Sequence, residues 1–267
     1  MPPSLAAVLT AVVLAVLGGA AGAFAGRVVP LFHDYEPGPD DAGPPPPCCP
    51  HCGARVAWRR WAPLPGRLVG TGRCAACAVR VRAPIAAVAS LAAAALGLLG
   101  LLRPEWSPLE LLAFAFFGLW GVLLAVIDAR TRRLPNPLVL PAYPVALVLV
   151  GLASLTARNG YGHLVGALIG MAGLAAFYWL LWFIYPAGMG WGDVKLSGLL
   201  GLYLGWTGLG AVVSGTFAAF LLSACFGLVL ILLGRATRKT QIPFGPFMLI
   251  GAFAVILLGD PLPALLG

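Results

Sequence analysis

Charge is what this sequence has least of. Only 10% of its 267 residues are Asp, Glu, Lys or Arg, against 60% hydrophobic residues and a mean hydropathy of +0.94. A soluble domain carries roughly 25% charged residues, so a water-soluble globule is excluded, and so is a disordered chain, which cannot be this apolar. Thirty-five glycines and 24 prolines occur without a triplet period, which excludes collagen and suits broken or closely packed membrane helices. The composition describes an all-α, polytopic transmembrane helix bundle. Apolar runs predict eight spans, near 4–26, 84–102, 109–127, 138–155, 163–185, 196–206, 208–233 and 246–259. The 11 residues of 196–206 are short of the ~20 of a full crossing and predict a half-helix or the start of a tilted one.

The formal charge of +8 does not point to nucleic acid, because its distribution encodes topology. Fifteen of the 17 cations fall in the loop 27–83, the loop 128–137, the turn 186–195 and the loop 234–245. Arg103 and Arg158 alone lie on the other side. Basic loops stay in the cytoplasm, so both termini are expected outside and the cysteine-bearing loop inside. The first span lacks the positive lead-in of a signal peptide and reads as a membrane helix. The organisation follows: a first helix (1–26), a cytoplasmic loop (27–83) and a seven-helix membrane domain (84–267).

The loop opens with an acidic stretch from Asp34 and the run Pro44–Pro47, an extended spacer. Two C-x-x-C pairs follow, Cys49/Cys52 and Cys74/Cys77, separated by 21 residues. Thiolates three positions apart on a tight turn occupy two corners of a tetrahedron, and Gly53 eases the turn. The four cysteines are candidate ligands of a structural zinc, which substitutes for a core in a segment poor in large apolar side chains. Disulfides are the alternative, disfavoured in the cytoplasm. Cys48 is a spare, His51 points away from the metal, and Cys225, in an apolar run, is expected to pack inside the bundle.

Nine acids are present, and seven lie in the loop, at an outer turn or at the C-terminus. The other two are Asp128, ending the run Leu119–Ile127, and Asp193, in Gly188-Met-Gly-Trp-Gly-Asp-Val-Lys195. Both are expected at the cytoplasmic face on different spans. Ionisable groups at such depth are costly unless they serve a function. Two carboxylates close together share one proton; the ionised one can take a proton from water while the protonated one polarises a scissile carbonyl. Gly190 and Gly192 leave room for a substrate backbone, and Pro135 and Pro137 are expected to interrupt the next helix. Singly, each residue has a plainer reading. Asp128 beside Arg130, Arg132 and Arg133 suits a charged helix end, Asp193 suits an N-cap for a helix starting at Val194, and Lys195 suits a side chain snorkelling to the headgroups. A proton-coupled transporter would also use paired acids, but no internal repeat of the kind transporters show is found between the two halves.

Four motifs in order resemble the type IV prepilin peptidases, GxGD-type intramembrane aspartic proteases. Gly190-Trp-Gly-Asp-Val-Lys-Leu196 is similar to their GxGDxKL signature, and Asp128 followed by Leu134-Pro135-Asn136 to their other aspartate. Ile242-Pro-Phe-Gly-Pro-Phe247 is similar to their IPFGPF, and Cys49–Cys77, with Gly72-Arg73-Cys74, to their tetracysteine insert. The resemblance implies cleavage of leaders from prepilins or pseudopilins in the bacterial plasma membrane. It implies Asp128 and Asp193 as the catalytic pair, with Gly190, Gly192 and Lys195 supporting. Its implied partners are those substrates and membrane lipid, with no nucleic acid. Many members also methylate the new N-terminus with S-adenosylmethionine. Here the family's GSFLNV becomes Gly22-Ala-Phe-Ala-Gly-Arg27 and its PLVE becomes Pro84-Ile-Ala-Ala87, which leaves that second activity open.

Overall fold

Uninterrupted apolar sequence with few β-branched clusters satisfies its backbone internally as helix, the only open-chain solution in a lipid interior. The computed structural model describes residues 3–32, 46–55, 73–237 and 240–260. The acidic stretch from Asp34 to Asp41, Pro44 and Pro45, Arg59, Arg60, Arg67, Gly72, Arg238 and Lys239 lie outside the described residues. Eight α-helices are described: α1 (Leu5–Ala25), α2 (Ile85–Leu102), α3 (Pro108–Thr131), α4 (Asn136–Ser154), α5 (Gly160–Ile184), α6 (Trp191–Thr207), α7 (Leu209–Leu232) and α8 (Gly245–Leu258). Six are long and apolar enough to cross a membrane; α6, with 17 residues, and α8, with 14, are shorter. The chain is a multi-pass membrane protein.

Local chemistry sets most helix ends. The Ser4 hydroxyl accepts from the Ala7 N–H at 3.2 Å and starts α1, which tightens into a 3-10 turn over Gly26–Leu31. Ser107 and Glu110 form a reciprocal capping box at the start of α3, with Pro108 in the first position. Pro135 and Pro137 do not interrupt α4 as the sequence suggested. They lie at its N-cap and in its first turn, where a missing N–H costs nothing.

Small residues bring the helices together, as expected where lipid supplies no hydrophobic drive. On α1, a Cβ added at Gly18 would stand 2.7 Å from the Ala92 carbonyl oxygen of α2, and one at Gly22 2.8 Å from that of Val88. Gly166 and Gly170 of α5 meet Gly205 and Gly201 of α6 in the same manner. This places α6 at the centre: from Leu196 to Trp206 every residue is buried. A helix enclosed by protein need not match the bilayer, which accounts for its length of roughly 25 Å at ~1.5 Å per residue. It begins five residues before the predicted 196.

One end of the bundle is laced by polar contacts. The Arg103 guanidinium donates from Nε, at 2.7 Å, and from a terminal nitrogen to the Ile256 carbonyl in the last turn of α8. Ser214 donates to the Asp260 carboxylate at 2.6 Å, His163 Nδ1 lies 2.7 Å from the Trp206 carbonyl oxygen, and the Ser107 and Thr156 hydroxyls meet at 2.9 Å. Cys225 is exposed, not packed inside. The buried residues of α7 are Ala211, Ser214, Gly215 and Ala219, all in its first half. An apolar run in a membrane protein does not distinguish a residue facing lipid from one facing protein.

Candidate active site and metal centre

Asp128 and Asp193 open into one cavity of about 1110 Å³ at the other end of the bundle. The last turn of α3 carries Asp128, which is 4% exposed. Asp193 is not an N-cap: α6 starts at Trp191 with Gly190 as its cap, so Asp193 lies within the first turn. There its carboxylate is hydrogen-bonded by the Gly190 backbone, half of a capping box. Asp128 is held the same way from another helix, its Oδ2 accepting the Gly245 N–H at 3.0 Å where α8 begins. Each carboxylate therefore takes a backbone donor at a helix N-terminus, where the dipole favours negative charge. The two are near enough for the Asp128 charge to be felt at Asp193.

Glycine makes both contacts sterically possible. A Cβ at Gly190 would lie 3.2 Å from Asp193 Oδ2, and one at Gly245 2.6 Å from Asp128 Oδ2. Gly192 lines the cavity and also packs closely: its Cβ would stand 3.0 Å from that of Leu134. Lys195 is no free boundary marker, since its Nζ donates to Asn136 Oδ1 at 2.7 Å and lies 5.5 Å from the centre of the Trp191 ring. Arg130 is exposed and does not line the cavity, whereas Arg132, Arg133, Thr240 and Gln241 do. Sequence reasoning assigned no role to Gly245, Asn136 or Tyr178. Tyr178, 1% exposed, lies within electrostatic reach of Asp193 and stacks on Phe220. Only the position of Gly245 within the IPFGPF stretch could have marked it.

The cysteines converge beside this cavity. All four sulfurs lie within 4.8 Å of one another, with Cys49–Cys77 at 4.0 Å and Cys52–Cys74 at 3.8 Å. Zinc–sulfur bonds of about 2.3 Å in a tetrahedron put sulfurs roughly 3.8 Å apart, so the set fits zinc. Each pair sits on a knuckle of the same build. The Cys49 N–H donates to the Ala54 carbonyl, and the Cys74 N–H to that of Val79, both at 3.0 Å. The residue after each second cysteine is left-handed, Gly53 at φ 66° and Ala78 at φ 57°. The Cys77 backbone N–H, opposing burial, lowers the Cys74 thiol to about 7. His51 is exposed and lies outside the cluster. The Cys48 N–H donates to the Leu31 carbonyl at 3.2 Å, joining the first knuckle to the end of α1, and the preceding Pro46 and Pro47 line the acid cavity.

Residues 115–232 match the type IV leader peptidase family, and residues 16–102 match the bacterial peptidase A24 N-terminal domain. The chain is 34% identical to a prepilin leader peptidase/N-methyltransferase of Aeromonas salmonicida over 80% of its own length and 71% of the relative's. One from Burkholderia pseudomallei is also 34% identical (82% and 69%), and one from Pseudomonas aeruginosa 30% (79% and 71%). The chain belongs to the type IV leader peptidase family. It is a membrane-embedded peptidase. No solved structure matches it.

Where the family's pattern has an asparagine this chain has Gly26, buried against α2; a Cβ there would lie 3.1 Å from Val88 Cβ and 3.2 Å from Ile85 Cα, so a side chain would need α2 to give by a few tenths of an ångström.

Proposed function

We propose that this protein removes the leader peptide from type IV prepilins or pseudopilins at the cytoplasmic face of the plasma membrane, with Asp128 and Asp193 as an aspartic pair. The observation that carries the reading is that two acids from separate helices line one cavity at one end of the bundle. The excess of cations in the loops at that end supports a cytoplasmic orientation.

Asp128 shares one proton with Asp193, and each accepts one backbone N–H at a helix start. With Asp128 as the ionised member, it takes a proton from water as the water oxygen attacks the scissile carbonyl. Protonated Asp193 donates a hydrogen bond to the carbonyl oxygen, where negative charge develops. Collapse of the tetrahedral intermediate breaks the C–N bond, and the departing amine takes the proton that Asp128 removed from water. The cavity lies at one end of the bundle, where a substrate with a polar leader and an apolar helix would present the peptide bond between them. Zinc, held by Cys49, Cys52, Cys74 and Cys77, is structural and adds no step. Leader removal is the step for which named residues are proposed; methylation of the new N-terminus with S-adenosylmethionine, the second activity in the relatives' names, is read out by the same test.

The test is cleavage of a substrate with a basic leader, a glycine and an apolar helix, read by mass spectrometry of its new N-terminus. Wild-type protein in lipid nanodiscs should release the leader, and Asp128→Asn and Asp193→Asn should not, although both insert normally. Processing by either variant overturns the assignment. The same spectrum shows whether one methyl group has been added.

A further inference from the structure

The two acids sit on α3 and α6, helices with no covalent neighbour relation, so something must fix their separation. The turn between α3 and α4 lies between them. Arg132 ends α3 in the left-handed region, with φ 49° and ψ 34°, which turns the chain sharply after Asp128. Buried Leu134 then packs between the start of α6, which bears Asp193, and the start of α8, whose Gly245 N–H holds Asp128: its Cβ lies 3.0 Å from where a Gly192 Cβ would stand, and its Cδ1 3.4 Å from that of Gly245. From the next residues, α4 grips Lys195 at both ends. Asn136, the first residue of α4, accepts from Nζ at 2.7 Å, and the Tyr143 hydroxyl donates to the Lys195 carbonyl at 2.5 Å. Helix α4 bears neither acid, yet it holds the residue two positions beyond Asp193 by side chain and backbone together.

We propose that Lys195 and Asn136 form a positioning latch that sets the separation of the two carboxylates, with Leu134 as the spacer between them. The inference rests on the peptidase reading and adds a division of labour to it. Lys195 acts through Asp193 and does not bind the substrate. Although Lys195 lines the cavity, its ammonium donates to an amide oxygen of the protein and stands over the Trp191 ring, so its position is set by α4 and the start of α6.

Lys195→Met and Asn136→Ala should each lower kcat about 10- to 100-fold, the cost of misplacing reacting groups by a fraction of an ångström, with KM within about twofold. The bell-shaped pH profile of kcat/KM should narrow, since two carboxylates held farther apart interact less and titrate closer together. Asn136→Asp, which keeps an acceptor for the ammonium, should restore kcat, and the double variant should be no worse than either single one. A raised KM with kcat preserved, or additive losses, would make Lys195 a substrate contact and overturn the latch. A second measurement does not need activity. With Asp128→Cys and Asp193→Cys combined, the yield of the bridge formed by a short bifunctional thiol reagent, mapped by mass spectrometry, should fall when Lys195→Met is added. An unchanged yield sinks the latch even if the wild-type protein cleaves nothing, while absent wild-type cleavage with a falling yield sinks only the peptidase reading.

Discussion

The metal knuckles and the acid cavity lie side by side, but they are ordered by different physics. Each knuckle is made within six or so residues: two cysteines on a turn, a backbone bond closing it, a left-handed residue behind. A metal ion bound by the four thiols would join two such turns. The acid cavity has no local plan. Asp128 and Asp193 share a cavity because α8 begins against Asp128, and Leu134 packs between the start of α8 and the start of α6. A cluster of ligands can thus be specified by short-range sequence and one ion, whereas a carboxylate pair in a bundle is specified by everything packed around it.

The strongest way to separate the two regions is to remove the metal. Structural zinc contributes on the order of 10 kcal/mol to folds of this kind. Chelation should therefore make Cys49, Cys52, Cys74 and Cys77 reactive to alkylating reagents while the far-ultraviolet helical signal is retained. Loss of that signal would mean that the bundle leans on the knuckle. In the opposite direction, Asp128→Asn or Asp193→Asn should lower cleavage by roughly four orders of magnitude with zinc content unchanged by metal analysis. Gly245→Ala probes the packing around the acids more gently. Its Cβ would press on Asp128 Oδ2 at 2.6 Å and should slow cleavage about 100-fold, with thermal stability measured alongside to confirm that the fold survives. The smallest effect belongs to the knuckle. Ala78 occupies the left-handed position that Gly53 fills in its twin, so Ala78→Gly should strengthen zinc retention in competition with a chelator by up to about 1 kcal/mol.

The same contrast explains what could be read in advance. Spacing alone brought out the four thiols, because their geometry is nearly contained in it. Asp128 and Asp193 stood out because few acids occur in so apolar a chain, and their rarity, not any periodicity, marked them. The eight helices followed from apolar runs, although α6 began earlier than its apolar stretch since Trp191–Lys195 carries polar residues into the first turn. Asn136, Tyr143 and Tyr178 carried no such mark. Their importance comes from where distant helices set them, as when Tyr143 reaches the carbonyl of Lys195 across 52 positions of sequence. Cys225 misled for the converse reason, because lipid and protein interior favour the same residue types.

The polar lacing at the far end of the bundle has a mechanical consequence. Arg103 is fastened to α8, Ser214 to Asp260 and His163 to the end of α6, so these helices share a common pivot region distant from the acids. The cavity end is tied separately, by Gly245 to Asp128 and by α4 to Lys195, so the bundle is fastened at both rims by different helices and the apolar middle is left to packing alone.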